Sequence, residues 1–358
     1  MTLEISGSTS VAVSIIIPAR DEESRLRACL ESLITQEGVK FEILVVNDGS
    51  TDRTEEIALS FPGVTVVDPG QLLERWTGKT HAMAVGAAHT QGKWLLFTDA
   101  DTVHRPQSLK RALSEANRHG AAMLSYSPKQ YASGFLNNAV MAVIFAELAT
   151  AYPPHAVRDP ASRVAAANGQ YLLISREAYD AVGGYAAMGS SLLEDVAMAK
   201  AVKQSGRKIV FRYGGDAVST YMYKNFSELR EGWTKNLVLL FPNPIAISLL
   251  RAAEFFLMAG GAVTAVIAAI KGQTPVAIAA VAVMATALGL SIRRIRKSHF
   301  PSHIVALSSI GLPIFSYLVL RSFIFHRLGR VSWKGRTYAT RVPGIARLEP
   351  GFRTTRAG

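Results

Sequence analysis

The residues best equipped for chemistry in this chain are carboxylates, and they fall just past the ends of apolar runs. Pro18-Ala19-Arg20-Asp21-Glu22 closes the run that begins at Val11. Asn47-Asp48-Gly49-Ser50-Thr51-Asp52 follows Phe41 to Val46, and Asp99-Ala100-Asp101 follows Trp94 to Thr98. In an open α/β sheet, ligands bind beyond the carboxyl ends of the strands, so these groups would gather on one rim. Like charges held together need a compensating cation or hydrogen-bond donors. A divalent metal with the sugar and base hydroxyls of a nucleotide would supply both. Alternation at a strand end sends Asp99 and Asp101 to the same side, where they could hold a hard cation and a ribose or phosphate.

Each piece taken alone has a plainer alternative. Asp99 and Asp101 could be turn or helix-cap aspartates, and Asn47-Asp48-Gly49-Ser50 could be a turn with a helix cap. Gly78-Lys79 opens a helical pattern. Lys79 is therefore either a solvated lysine or a diphosphate contact assisted by helix N–H groups, and the glycine spacing of a Walker loop is absent. Glu194-Asp195 precedes Val196, Ala199 and Val202, so it is either an acidic first turn or a base presented at a helix start.

The elements that must position these groups alternate in period. Val11–Ala19 is short, lacks a basic segment before it and ends in charge, so it reads as a strand buried on both faces rather than a leader. Strands at 41–46, 64–67, 94–98 and 121–126 are separated by helical stretches, which predicts βαβ units and a three-layer α/β domain. The 358 residues carry 39 Lys and Arg against 27 Asp and Glu, net +12. Residues 1–235 hold 24 basic and 25 acidic groups, whereas 236–358 hold 15 basic groups and only Glu254 and Glu349 as acids. A near-neutral N-terminal region argues against a nucleic-acid partner. The single cysteine, Cys29, excludes a disulfide framework and any multi-cysteine zinc site. It lies with Leu26, Leu30 and Leu33 on an apolar helix face.

Residues 134–151 form an apolar stretch carrying Asn137, Asn138 and Glu147. That suits a membrane-surface helix or one packed under the domain. Three uncharged runs follow, at 255–270, 275–292 and 304–320, each near the lower limit for a membrane span. They predict a membrane region over 237–325 between a catalytic domain over 1–236 and a basic tail over 326–358. The basic cluster 293–297 and the tail favour a cytoplasmic catalytic side of a multi-pass inner-membrane protein. Gly311 and Pro313 predict that the last run forms a re-entrant hairpin or sits shallowly.

The segments PARDEE (18–23), VNDGSTD (46–52), GKTHAMAVGA (78–87), TDAD (98–101), NGQYLLISREAYDAVGGY (168–185) and LLEDVAMAKAVKQSGRKI (192–209) together resemble family 2 glycosyltransferases of the GT-A fold. The order is that of the family over about residues 11–240. Trp76, Glu231-Gly232-Trp233-Thr234-Lys235-Asn236 and Trp333-Lys334-Gly335-Arg336 resemble the membrane-bound enzymes of hopanoid and carotenoid glycosylation. The resemblance implies a nucleotide-sugar-binding, mainly parallel sheet followed by transmembrane helices. It also implies a hexosyltransferase-type enzyme that uses Mn²⁺ or Mg²⁺ and a UDP-sugar, ahead of a GDP-sugar.

By the same resemblance Glu22 and Asp48 hold the nucleoside, with Pro18 shaping the loop. Lys79 meets the diphosphate, Asp99 contacts ribose or phosphate and shares the metal, and Asp101 ligates it. Asn168, Gly169 and Gln170, with Gly183, Gly184 and Glu194, line the donor sugar and acceptor entrance, and Asp195 is the general base. Trp233 floors the acceptor site or anchors at the membrane interface.

The sequence departs from the family in two places. Arg20 and Asp21 stand where an aromatic residue and Asn are usual. Of the Gln-x-x-Arg-Trp signature of processive synthases, Leu229-Arg230-Glu231-Gly232-Trp233 keeps only the Trp. The function this implies is inverting, metal-dependent transfer of one sugar to a lipid-soluble hydroxyl acceptor. A processive polysaccharide synthase and a non-catalytic GT-A-like membrane scaffold are the alternatives.

Overall fold

A computed structural model describes residues 11–333 and 335–338. The chain divides into two compact units. One contains the chain up to Tyr131 together with Tyr152–Met222, and the other contains Ala132–Ala151 together with the chain from Tyr223.

The first unit is built on a seven-stranded sheet. Its order is Val64–Val67, Phe41–Asn47, Val13–Ala19, Trp94–Phe97, Leu172–Ser175, Met123–Ser127, Ile209–Tyr213. The first four strands are parallel, with Ile15 opposite both Ile43 and Leu96. Leu172–Ser175 runs antiparallel to both of its neighbours. The sheet is therefore mainly parallel, as the alternating runs predict.

Alternate side chains of one strand enter different cores, which explains the uninterrupted apolar run. Ile15 and Ile17 join Leu26, Leu30, Leu33 and Leu109 on one face. Ile16 joins Ala82, Met83, Met198 and Val202 on the other. Cys29 belongs to the first core, and burial pushes its thiol up to about 12, so it is an inert packing group. A second sheet, of Thr102–His104, Val218–Tyr223 and Lys129–Ala132, has no counterpart in the sequence reading.

The second unit gathers helices. Pro244–Ile270, Thr274–Ser298 and Ser302–Arg327 are each long and apolar enough to cross a membrane. The first two are mostly unburied, with 11% of the apolar window covered in each, whereas half of the third is buried. The third is not a re-entrant hairpin. It runs as Ser302–Leu307, one 3₁₀ turn at Ser308–Ile310, and Gly311–Arg327. Gly311 permits close packing, since a Cβ there would lie 2.7 Å from the Ala139 carbonyl oxygen.

Phe135–Ala151 is a helix of this unit, and its Glu147 is only 2% exposed. The carboxylate meets Arg251 at 2.9 Å and Arg294 at 2.8 Å, and both arginines also meet Glu254. A buried carboxylate is retained only when paired in this way. Trp233 is buried on helix Phe226–Leu240, and its indole N–H points at the Met141 sulfur, 3.2 Å away. It is a packing residue of the second unit and not an exposed interfacial anchor.

Helix Gly78–Ala88 approaches the sheet so closely that a Cβ on Gly86 would lie 2.5 Å from Ile16 and 3.0 Å from Val46. Gly86→Ala is expected to destabilise the first unit by about 1–3 kcal/mol through overpacking. A lower thermal unfolding midpoint of the purified chain, with nucleotide absent, would show it.

Candidate active site

The two loops beyond strands Val13–Ala19 and Phe41–Asn47 are laced together by their own side chains. Asp21, at φ 51°, accepts the Thr51 N–H at 2.8 Å, while its own N–H donates to Ser50 Oγ. The Glu22 N–H donates to Thr54 Oγ1 at 2.7 Å, and the Glu23 N–H donates to Asp52. Asp21 thus has a structural task where the family usually has Asn. Pro18 pairs with Val46 in the sheet register, one step before this loop turns out. Asp48 is buried, with its N–H on the Ala19 carbonyl. Asn47 Oδ1 accepts the Ser50 N–H at 3.2 Å, so the turn reading of Asn47–Ser50 holds alongside any ligand role.

Past the Trp94–Phe97 strand, Asp99 and Asp101 have different surroundings. Asp101 Oδ1 is buried and has no hydrogen-bond partner among the described residues. Burial first, then the charges of Asp99 and Glu22, push this carboxyl up to about 7 against the pull of Arg25 and Lys79. Arg25, 3.5 Å from Glu22, is a member of the rim that the sequence reading did not single out. A carboxylate that is buried, crowded by acids and short of a partner fits a cation. Among the described residues no group of three or more Asp, Glu, His or Cys converges on one point. Two carboxylates with substrate oxygens completing the shell are the ordinary arrangement for Mg²⁺ and a nucleotide.

Lys79 stands in the first turn of helix Gly78–Ala88, whose N-cap Thr77 accepts the Thr80 N–H. Its ammonium lies 2.7 Å from Asp99 Oδ1 and 3.0 Å from Glu194 Oε1. Burial disfavours that charge, but Asp99, Glu194 and Asp195 more than compensate and hold its pKa well above the ordinary lysine value. Lys79 is thus ion-paired, with its side chain 32% exposed.

Glu194 and Asp195 open helix Glu194–Gln204. Asp195 accepts N–H groups from Gly169 and Val196, each at 2.8 Å. Burial and then the Glu194 charge raise it to about 6, while Lys79 and the two N–H donors pull the other way. Gly169 packs close to this pair: a Cβ there would lie 3.1 Å from Lys79 Nζ and 3.4 Å from Glu194 Oε1.

The remaining expected residues divide. Asn168 receives the Gln170 N–H on its side-chain oxygen and exchanges hydrogen bonds with Ser125, which shapes the turn ahead of Gly169. Gln170 is turned inward, bonded to Gln130 and Thr220, and is 5% exposed. It supports the site without lining an entrance. Gly183 and Gly184 have φ of 76° and 55°, and a Cβ on Gly184 would lie 2.5 Å from the Tyr179 ring. Their task is a tight backbone turn.

The turn delivers Tyr185, a residue the sequence reading missed. It is fully buried, and its hydroxyl has no hydrogen-bond partner among the described residues. It lies within the electrostatic reach of Glu194, Lys79 and Asp195. Trp76 packs edge-on against His81, and a Cβ on Gly189 would lie 2.4 Å from the Trp76 indole. Trp76 therefore fixes the chain just before Lys79.

The chain is similar to known proteins in sequence and in fold. Curated relatives from Staphylococcus aureus strains USA300 and bovine RF122, both named 4,4'-diaponeurosporenoate glycosyltransferase, are 33% and 32% identical over 239 residues. Each alignment covers 63% of this chain, which spans only 60% of the relatives' length. A mannosyltransferase from Pyrobaculum calidifontis, solved with GDP-Man and Mn²⁺, shares the fold at a TM-score of 0.53 and 17% identity. That match covers 88% of this chain and 87% of the other. The fold is thus the GT-A type, and the family model described as Glycosyl transferase family 2 matches residues 14–183. Residues 14–183 carry the likeness to family 2 glycosyltransferases.

Proposed function

We propose that this chain transfers one sugar from a nucleotide-diphosphate sugar to a hydroxyl of a lipid-soluble acceptor at a membrane, with inversion at the anomeric carbon. The observation that carries the reading is the convergence of Asp99 and Glu194 on Lys79, at 2.7 and 3.0 Å, with Asp195 next along the helix and held by the Gly169 N–H at 2.8 Å. The family of the domain and the named activity of its relatives support it. Three apolar helices of membrane-crossing length supply a reason for a lipid-soluble acceptor.

In this reading Glu22 and Asp48 receive the nucleoside, and Lys79 meets the diphosphate. Asp99 and Asp101 would hold Mn²⁺ or Mg²⁺, whose charge, when bound, offsets the negative charge growing on the leaving diphosphate. Lys79 acts on the same charge from the protein side. Asp195 takes the proton of the acceptor hydroxyl as its oxygen bonds to the anomeric carbon and the bond to the diphosphate breaks. Attack from the face opposite the leaving group inverts the centre. An ordinary Asp is a weak base near pH 7, and the burial that lifts Asp195 to about 6 makes it a better one. The basic cluster at 293–297 supports a cytoplasmic position for the catalytic unit of an inner-membrane protein.

A thermal-shift panel of UDP- and GDP-sugars with Mn²⁺ or Mg²⁺ tests the donor reading. At least one pair should raise the unfolding midpoint of the parent chain, and Asp101→Ala should lose that rise. Asp195→Asn should keep donor binding while turnover falls at least about 100-fold. A variant that turned over like the parent would remove Asp195 from the base role.

The pH dependence has a definite sign. Asp195 must be ionised to accept a proton, so turnover should be level above about pH 6 and drop about tenfold per unit below it. A kcat profile flat down to pH 5 would contradict the assignment.

A further inference from the structure

The resemblance to the family puts Glu194 among residues that line the donor sugar, but its carboxylate is already committed. Its side chain is 9% exposed, and Oε1 lies 3.0 Å from Lys79 Nζ. The α-carbon of Gly169 closes over this contact so tightly that a Cβ would sit 3.4 Å from the same oxygen. The other partner of Lys79 is Asp99, on the donor side of the rim. The next residue along the helix is Asp195, whose carboxylate is held by the Gly169 and Val196 N–H groups. One ammonium thus bridges the carboxylate beside the donor and the carboxylate beside the base.

We propose that Glu194 is a positioning residue, which holds Lys79 at the junction of the donor and acceptor sides and sets how readily Asp195 takes a proton. The proposal rests on the reading of Asp195 as the base and deepens it. The groups that face Asp195 are few. Glu194 is the main negative neighbour, from its own helix. Lys79 opposes it from helix Gly78–Ala88, and the Gly169 and Val196 N–H groups add to Lys79. The Tyr185 and Tyr152 hydroxyls stand within its field as neutral groups. Glu194 therefore acts on Asp195 in two ways: directly as a like charge, and indirectly by fixing the cation that tempers it. A residue that touched only the sugar would do neither.

The test uses the full chain in lipid nanodiscs with Mg²⁺ and either UDP-glucose or GDP-mannose as donor. Glu194→Gln and Glu194→Ala remove the same charge, but only Gln keeps an oxygen for Lys79. Glu194→Gln should move the acid limb of the kcat profile to lower pH by about half to one unit, and Glu194→Ala by less, because a misplaced Lys79 tempers Asp195 less. One unit below the parent's limb, the Glu194→Gln shift leaves about three- to tenfold more relative activity than the parent retains. Glu194→Ala should also lower the plateau kcat about tenfold through misplacement of Lys79, with a smaller change in donor KM. Glu194→Gln should stay within about threefold of the parent plateau.

Acid limbs unmoved in both variants would overturn the proposal, because a purely structural role lowers the plateau alone. Asp195→Asn separates this from failure of the underlying reading. If that variant turns over like the parent, the base assignment falls, and the hold on Lys79 is read from donor binding instead. Thermal-shift titration should then give Glu194→Ala a severalfold weaker apparent affinity for the donor than Glu194→Gln. Equal affinities would overturn the hold as well.

Discussion

The site depends on one half-buried lysine between two carboxylates. Lys79 sits 2.7 Å from Asp99 and 3.0 Å from Glu194, and without it three acids would face each other across a short distance. In a protected environment such repulsion is strong, and it would neutralise one of them. The fold spends much of its local geometry on this cation. Thr77 caps its helix, Trp76 packs where Gly189 leaves room, and Gly169 keeps the space clear of any side chain. Asp101 stands outside the arrangement, with one oxygen lacking a hydrogen-bond partner among the described residues and a carboxyl lifted towards neutrality. The chain thus balances one group of acids internally and leaves the other less balanced.

Much of this was legible in the sequence, because βαβ order and strand-end position carry their own geometry. A run such as Val13–Ala19, apolar at every step, reports burial on two faces, and the two cores that divide Ile15 from Ile16 are its result. Parallel strands end on one side, so the acids after them must share a rim. What was not legible depends on pairing between distant segments. Leu172–Ser175 inserts antiparallel between Trp94–Phe97 and Met123–Ser127, and no local pattern announces that. The same holds for the small sheet formed around Val218–Tyr223, against which Gln170 turns inward to reach Thr220.

The membrane-length helices show the limit from another direction. Length and composition located all three, but burial separates them. Pro244–Ile270 and Thr274–Ser298 keep apolar surface uncovered, while Ser302–Arg327 hides half of its window against its own unit. Gly311 and Pro313 read as a break, yet the helix absorbs them with a single 3₁₀ turn. The glycine is there because the Ala139 carbonyl lies too close for a side chain. Trp233 teaches the same lesson. An aromatic residue near apolar segments reads as an anchor, but its neighbours Met141 and Phe145 come from a helix more than eighty residues earlier.

The pairing of Glu147 with Arg251 and Arg294 has a consequence for biosynthesis. The carboxylate is made 104 residues before the first of its two counterions, and all of 152–222, which belongs to the other unit, is made in between. Helix Phe135–Ala151 therefore leaves the ribosome carrying a charge that its final surroundings do not yet neutralise. Its ion pairs can close only after Arg251 and Arg294 have been made, so this pairing within the apolar unit is ordered in time.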